Sequence, residues 1–139
     1  MKEFITWKQY NLAVLRMMNY YLDNNLNCGA IYGLPRGGLP IAVSLSHALN
    51  LPLLMSYSDK KIITDKKILV VDDIADTGET LNNFSGDKNV IFTIHYHRQS
   101  KVVPDCWIFE KRDNWIVYPW EKEGADEIQN YLSDKKVIE

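Results

Sequence analysis

Residues 68–81 read Ile-Leu-Val-Val-Asp72-Asp73-Ile-Ala75-Asp76-Thr77-Gly78-Glu79-Thr80-Leu, and no other stretch limits the fold as tightly. Four apolar, largely β-branched residues run straight into two adjacent carboxylates. An unbroken run of this kind suits a strand buried on both faces, as in a parallel sheet. Ligands of such sheets bind just beyond the carboxyl ends of the strands, so Asp72 and Asp73 are expected at the mouth of a site. Thr77 and Thr80 add hydroxyls, Gly78 adds an unhindered backbone, and a helix start is expected at Glu79 or Thr80. Together these features favour an anion, above all a phosphate. A purely structural turn would need neither two mutually repelling carboxylates nor the flanking hydroxyls.

A second anion loop is written earlier in the chain. Residues 30–33 form a short apolar strand that breaks at Pro35-Arg36-Gly37-Gly38, and an apolar helix is expected from Pro40 to about Leu49. Proline belongs in a first helical turn, where its missing N–H costs nothing. An arginine followed by two glycines at a helix N-terminus offers close backbone approach, a favourable dipole and one fixed charge.

The first segment closely resembles the ribose-phosphate signature of the type I phosphoribosyltransferases, and the second resembles their diphosphate loop, in the family's order. A response-regulator acidic pair is a poorer match, because it follows the first strand near the start of a chain. The resemblance implies that Ala75, Asp76, Thr77, Gly78, Glu79 and Thr80 hold the 5′-phosphate of phosphoribosyl diphosphate. Pro35, Arg36, Gly37 and Gly38 would hold the diphosphate. Asp72 and Asp73 would take the ribose hydroxyls, directly or through Mg2+, and Asp76 would be the general acid/base near N7 of a purine.

Near the C-terminus, Asp113-Asn114-Trp115-Ile116-Val117-Tyr118-Pro119-Trp120-Glu121 resembles the base-binding end of bacterial and archaeal 6-oxopurine phosphoribosyltransferases. Trp115 would stack on the base and the Ile116 backbone would read its exocyclic groups. A core-capping role is the alternative for so dense an aromatic cluster. Two departures from the family pattern stand out. His97 occupies the place of a lysine that usually contacts the 6-oxo group, with Arg98 and Lys101 close by as substitutes; His95 and His97 alternatively mark an exposed strand end. The usual long mobile hood segment is reduced to residues 58–67, after a strand expected near 53–57, and can form only a short hairpin-like flap. Its Lys60, Lys61, Lys66 and Lys67 either reach the diphosphate or form a solvated charge run.

The implied activity is transfer of the 5-phosphoribosyl group to hypoxanthine, guanine or xanthine, with Mg2+, giving a nucleoside monophosphate and diphosphate. The alternatives are a non-catalytic regulator that binds phosphoribosyl diphosphate and a transferase for a different base. The expected fold is α/β, a mostly parallel sheet flanked by helices, in one domain over residues 1–139, with a small C-terminal hood and a shortened loop. Net charge −2 argues against a nucleic-acid surface. Cys28 and Cys106 have neither metal nor disulfide-framework spacing. With no signal peptide or spanning segment, a cytoplasmic protein without membrane partners is expected, and the family implies a homodimer or homotetramer. Thr6-Trp7-Lys8-Gln9 reads as a capping box opening a helix whose stripe of Trp7, Tyr10, Val14, Met17, Met18 and Tyr21 suits a core or subunit contact. Strands near 90–94 and 107–109 and a terminal helix over 125–132 complete the expectation.

Overall fold

The computed structural model describes residues 1–121; the helix expected over 125–132 lies outside the described residues. In chain order the elements are β1 (Lys2–Phe4), α1 (Trp7–Asp23), β2 (Cys28–Gly33), α2 (Gly38–Leu49), α3 (Lys60–Ile63), β3 (Lys67–Ala75), α4 (Glu79–Asn82), β4 (Asn89–His97), β5 (Cys106–Lys111) and β6 (Trp115–Val117). Four of the strands form a parallel sheet in the order β2-β3-β4-β5, and β1 pairs with β6, also in parallel, as a separate two-stranded sheet.

The sheet forms where the apolar runs predict it. Ile68, Leu69, Val70 and Val71 are all buried, and they divide alternately between two cores. Leu69 and Val71 join Ile31, Phe92 and Ile94 with Ile41, Ala42 and Leu45 of α2. Ile68 and Val70 face Ala30, Leu54, Leu81 and Ile91. Burial of one such side chain contributes about 1.5–3 kcal/mol, so both faces of β3 are covered and its register is fixed by what it packs against.

The capping box at Thr6 forms: Gln9 N–H donates to Thr6 Oγ1 at 3.1 Å and Thr6 N–H donates to Gln9 Oε1 at 2.8 Å. Along α1, Tyr10, Ala13, Met17 and Tyr21 are buried. The Tyr10 hydroxyl bonds the Pro40 carbonyl at 2.9 Å and Ser44 Oγ at 2.6 Å.

Some expectations are corrected. Residues 53–57 do not form a strand. Only Leu53 bridges to Ile31, after which the chain turns through a 3₁₀ segment, Tyr57–Asp59, into α3. Ser56, Ser58 and Asp59 compete for local hydrogen bonds and favour the turn; the Ser56 and Ser58 hydroxyls lie 3.0 Å apart. The short connection is therefore a helical turn and not a hairpin. Lys60 is spent within it, bonding the Tyr57 hydroxyl at 3.0 Å and lying over that ring, while Lys66 reaches Asn27 at 3.5 Å. β1 has no signal in the sequence, since its three residues are exposed and carry no apolar alternation.

Candidate functional site

β2 pairs with β3 only as far as Gly33 opposite Val71. Beyond that point β2 turns away, while β3 continues to Ala75 along β4, with Asp72 opposite Thr93 and Ile74 opposite His95. The acidic pair therefore lies within the last turn of a strand that has lost one neighbour, not beyond its end. The vacated edge is filled by the loop 34–38. Leu34 N–H donates to the Val71 carbonyl at 2.9 Å and Gly38 N–H donates to the Leu34 carbonyl at 2.8 Å, and the Pro35–Arg36 peptide bond is cis.

Glycines make this approach feasible. A Cβ on Gly37 would fall on the Asp73 carboxylate, and one on Gly38 would fall on the Val71 carbonyl oxygen. Gly37 and Gly38 are thus packed against Asp73 and Asp72, although some thirty-five positions separate the two segments in the chain. Arg36 itself is exposed.

The acidic pair is electrostatically costly. Asp73 N–H donates to Asp72 Oδ1 at 2.8 Å. Burial, and then the Asp73 charge, push the Asp72 carboxyl well above the usual carboxylate range. Burial also lifts Asp73, to about 6, with the Glu121 carboxylate adding to the rise and the bond with Asp72 opposing it. Such a pair favours a counter-charge or hydroxyl donors.

On the other side of the pair, the turn after β3 presents Thr77, Glu79 and Thr80 to solvent, while Gly78 is buried with φ +79°. Its left-handed backbone and the Ser100–Lys101 segment packed on it both exclude a side chain. Lys101 N–H donates to the Thr77 carbonyl at 2.9 Å, and the Lys101 ammonium lies 3.8 Å from Glu79. The loop after β4 thereby braces this turn.

Asp76 is half-exposed and held by two donors: Gln99 Nε2 at 2.9 Å and Lys111 Nζ at 3.2 Å. Sequence reasoning misses both partners. Lys111 ends β5, opposite His97 on β4, and only the parallel register brings it to Asp76. Arg98 turns outward to Glu110 at 2.8 Å. His97 Nδ1 accepts from Gln99 N–H at 3.1 Å, and its Nε2 lies 3.9 Å from Asp113.

His95 is a correction, because it is buried at 1 % exposure and not at an exposed strand end. Burial pulls its pKa down to about 4, with the Lys111 charge adding to the fall, so it is neutral. Its Nδ1 lies 2.8 Å from the Tyr118 hydroxyl, which donates to the Asp73 carbonyl at 3.1 Å. Since that hydroxyl has one proton, Nδ1–H of His95 donates to Tyr118, and Nε2 is left as a buried lone pair without a partner among the described residues.

In β6, Trp115 is 48 % exposed and Ile116 is buried. Trp115 N–H donates to the Met1 carbonyl at 3.0 Å, and Ile5 N–H donates to the Val117 carbonyl at 2.8 Å. β1 thus takes the backbone groups of Trp115 and Val117, which leaves those of Ile116 on the strand's other edge, as alternation along a ladder requires. Trp120 packs inward, stacked on Tyr118 at 5.0 Å and edge-on to Tyr10 at 5.4 Å, and Glu121 accepts from Tyr118 N–H at 2.7 Å.

A parallel sheet carrying two anion-suited loops at adjacent strand ends is the architecture of the type I phosphoribosyltransferases, and the chain has that fold. No protein-family model matches it. It is similar to the purine phosphoribosyltransferase of Pyrococcus horikoshii Ot3, at 28% identity and a TM-score of 0.76 over 91% of this chain and 98% of that one. Within the class its likeness is accordingly to the purine phosphoribosyltransferases. Two further structures share the fold at lower identity. The xanthine-guanine-hypoxanthine phosphoribosyltransferase of Helicobacter pylori is 18% identical with a TM-score of 0.70, and the match covers 99% of each chain. A Neisseria gonorrhoeae protein with bound ppGpp is 17% identical with a TM-score of 0.71, over 98% of this chain and 97% of that one. No helix of the described residues is long and apolar enough to cross a membrane.

Proposed function

We propose that the chain transfers the 5-phosphoribosyl group of phosphoribosyl diphosphate to a 6-oxopurine base. The observation carrying this reading is the packing of Gly37 and Gly38 directly against the Asp72–Asp73 pair. It puts a loop suited to an anion beside carboxylates suited to hydroxyls, the two ends of a ribose 1-diphosphate.

In this reading the loop 35–38 holds the diphosphate through backbone N–H groups and Arg36. The turn 75–80 holds the 5′-phosphate through its backbone and the Thr77 and Thr80 hydroxyls. Asp72 and Asp73 accept hydrogen bonds from the ribose hydroxyls. The base rests on Trp115, with Ile116 backbone groups at its edge. Base N9 forms the new bond to C1′ as the bond from C1′ to the diphosphate oxygen breaks, and diphosphate leaves with the electron pair. Negative charge on the Asp72–Asp73 pair favours the positive charge that develops on the sugar, and Asp76 takes the proton released at N7.

The donor set fits Mg2+. No group of three or more potential metal ligands occurs among the described residues, and two hard carboxylates plus substrate oxygens are the usual complement for this ion. When bound, Mg2+ would neutralise charge on the diphosphate.

The test is nucleotide formation from phosphoribosyl diphosphate and Mg2+, with hypoxanthine, guanine, xanthine and adenine offered separately. Turnover with a 6-oxo base is the expected result. Turnover with adenine alone refutes the base assignment. Tight binding of phosphoribosyl diphosphate without turnover favours the second reading, a non-catalytic regulator that binds phosphoribosyl diphosphate, which the short 58–67 connection supports.

A further inference from the structure

The usual lysine for the 6-oxo group is absent from its expected place, and three residues near it are candidates to substitute. Their surroundings weigh against all three. Arg98 has a side chain 84 % exposed and paired with Glu110. Lys101 stands at the phosphate turn beside Glu79, 62 % exposed. Both ring nitrogens of His97 face groups of the 97–113 region.

Lys111 differs from them. Its side chain is 13 % exposed, and its ammonium lies 3.2 Å from Asp76 Oδ2, while Gln99 holds the other carboxylate oxygen at 2.9 Å. A fixed carboxylate oxygen beside a fixed ammonium presents one acceptor and one donor side by side. A 6-oxopurine protonated at N7 presents the complementary pair on one edge, the N7–H donor and the O6 acceptor. A 6-aminopurine turns an amino donor toward the same place, and an ammonium has no lone pair to accept it.

We infer that Lys111, carried in from β5, reads the 6-oxo group of the base while Asp76 takes its N7 proton, so that the Asp76–Lys111 pair sets 6-oxo over 6-amino specificity. This rests on the purine-transferase reading. The donor that selects the base then comes from the strand next to the expected one, held in place by the His97–Lys111 register. It remains buried enough for a lost hydrogen bond to count, since a buried charged donor without its partner is penalised more than an exposed one.

The experiment is equilibrium binding, so it does not depend on turnover. Inosine 5′-monophosphate, adenosine 5′-monophosphate and ribose 5-phosphate are titrated by calorimetry, with Mg2+, into the wild type, Lys111→Met and Lys111→Arg. The wild type is expected to bind the inosine nucleotide more tightly than the adenosine nucleotide. Lys111→Met should weaken the inosine nucleotide about 10–100-fold, the range for a hydrogen bond to a charged group. The other two ligands should change by less than about threefold, and Lys111→Arg should recover part of the preference. An unchanged inosine-to-adenosine ratio in Lys111→Met overturns the assignment and leaves the purine reading standing. Parallel loss of all three ligands in both variants also overturns it, because a base-reading residue leaves ribose 5-phosphate untouched. If the wild type binds ribose 5-phosphate but neither nucleotide, the purine reading itself falls and this inference falls with it.

Discussion

Neutralising Asp73 should make the protein more stable and less able to bind its sugar phosphate. Burial lifts the Asp73 carboxyl from an ordinary 3.8 to about 6. A carboxyl raised in the folded state contributes stability that is fully present below about pH 4 and is lost as the pH rises through 6. The difference corresponds to about 3 kcal/mol at pH 7.5. The Asp73→Asn substitution avoids the ionisation but still buries an amide, so the net gain should be about half of that. For a chain of this size, ~1–2 kcal/mol raises the Tm by roughly 3–8 °C. Asp73→Asn and the wild type would be compared by thermal unfolding at pH 7.5 and pH 4.5. The variant's advantage should be largest at pH 7.5 and should shrink toward pH 4.5, where the wild-type carboxyl is protonated in the folded state. Adding phosphoribosyl diphosphate and Mg2+ should raise the wild-type Tm and leave the variant's nearly unmoved. A constant advantage at both pH values, or a variant less stable than the wild type at pH 7.5, would refute the argument that this charge is stored against the fold for the ligand's sake.

Tyr118→Phe removes the donor to the Asp73 carbonyl and the partner of His95 Nδ1. It should cost about 2–3 kcal/mol in urea unfolding, because it leaves buried polar atoms unpaired; a loss below ~0.5 kcal/mol would contradict the bond. Gly37→Ala puts a methyl group on the Asp73 carboxylate and should weaken phosphoribosyl diphosphate at least tenfold in calorimetry; unchanged affinity would mean the loop is free to move away. Trp115→Ala should raise the KM for the base about tenfold or more, as loss of a stacking platform does, with the KM for phosphoribosyl diphosphate unchanged; equal effects on both would assign Trp115 to the fold instead.

What can be read from the sequence is local. The hydroxyls of the proposed phosphate turn and the acidic pair follow one another within nine residues, and Pro40 announces the helix behind the Arg36 loop, so contiguous chemistry suffices to propose both. That the two loops touch follows from the alternation of strands and helices, which forces neighbouring parallel strands to end on one side. Lys111 and Gln99 escape for the converse reason. Nothing near Lys111 in the chain marks it, and it meets Asp76 only through the pairing of β3 with β4 and of β4 with β5. His95 is misread because its residue type suggests solvent, and its burial depends on Tyr118 arriving from 23 positions away. The Leu53-Leu54-Met55 run is misread as a strand because its apolar content outweighs the serines that follow it.

The two sheets of the molecule divide the proposed labour. Both proposed sugar-phosphate loops hang from neighbouring strands of the four-stranded sheet, whose spacing is held at about 4.8 Å by backbone hydrogen bonds, whereas Trp115 and Ile116 stand on the separate β1–β6 pair. The larger sheet is thus a ruler that fixes the separation of the two loops. The smaller is an interchangeable jaw. A change on the jaw's face would alter the surface on which a base rests and leave the spacing of the two loops as it is.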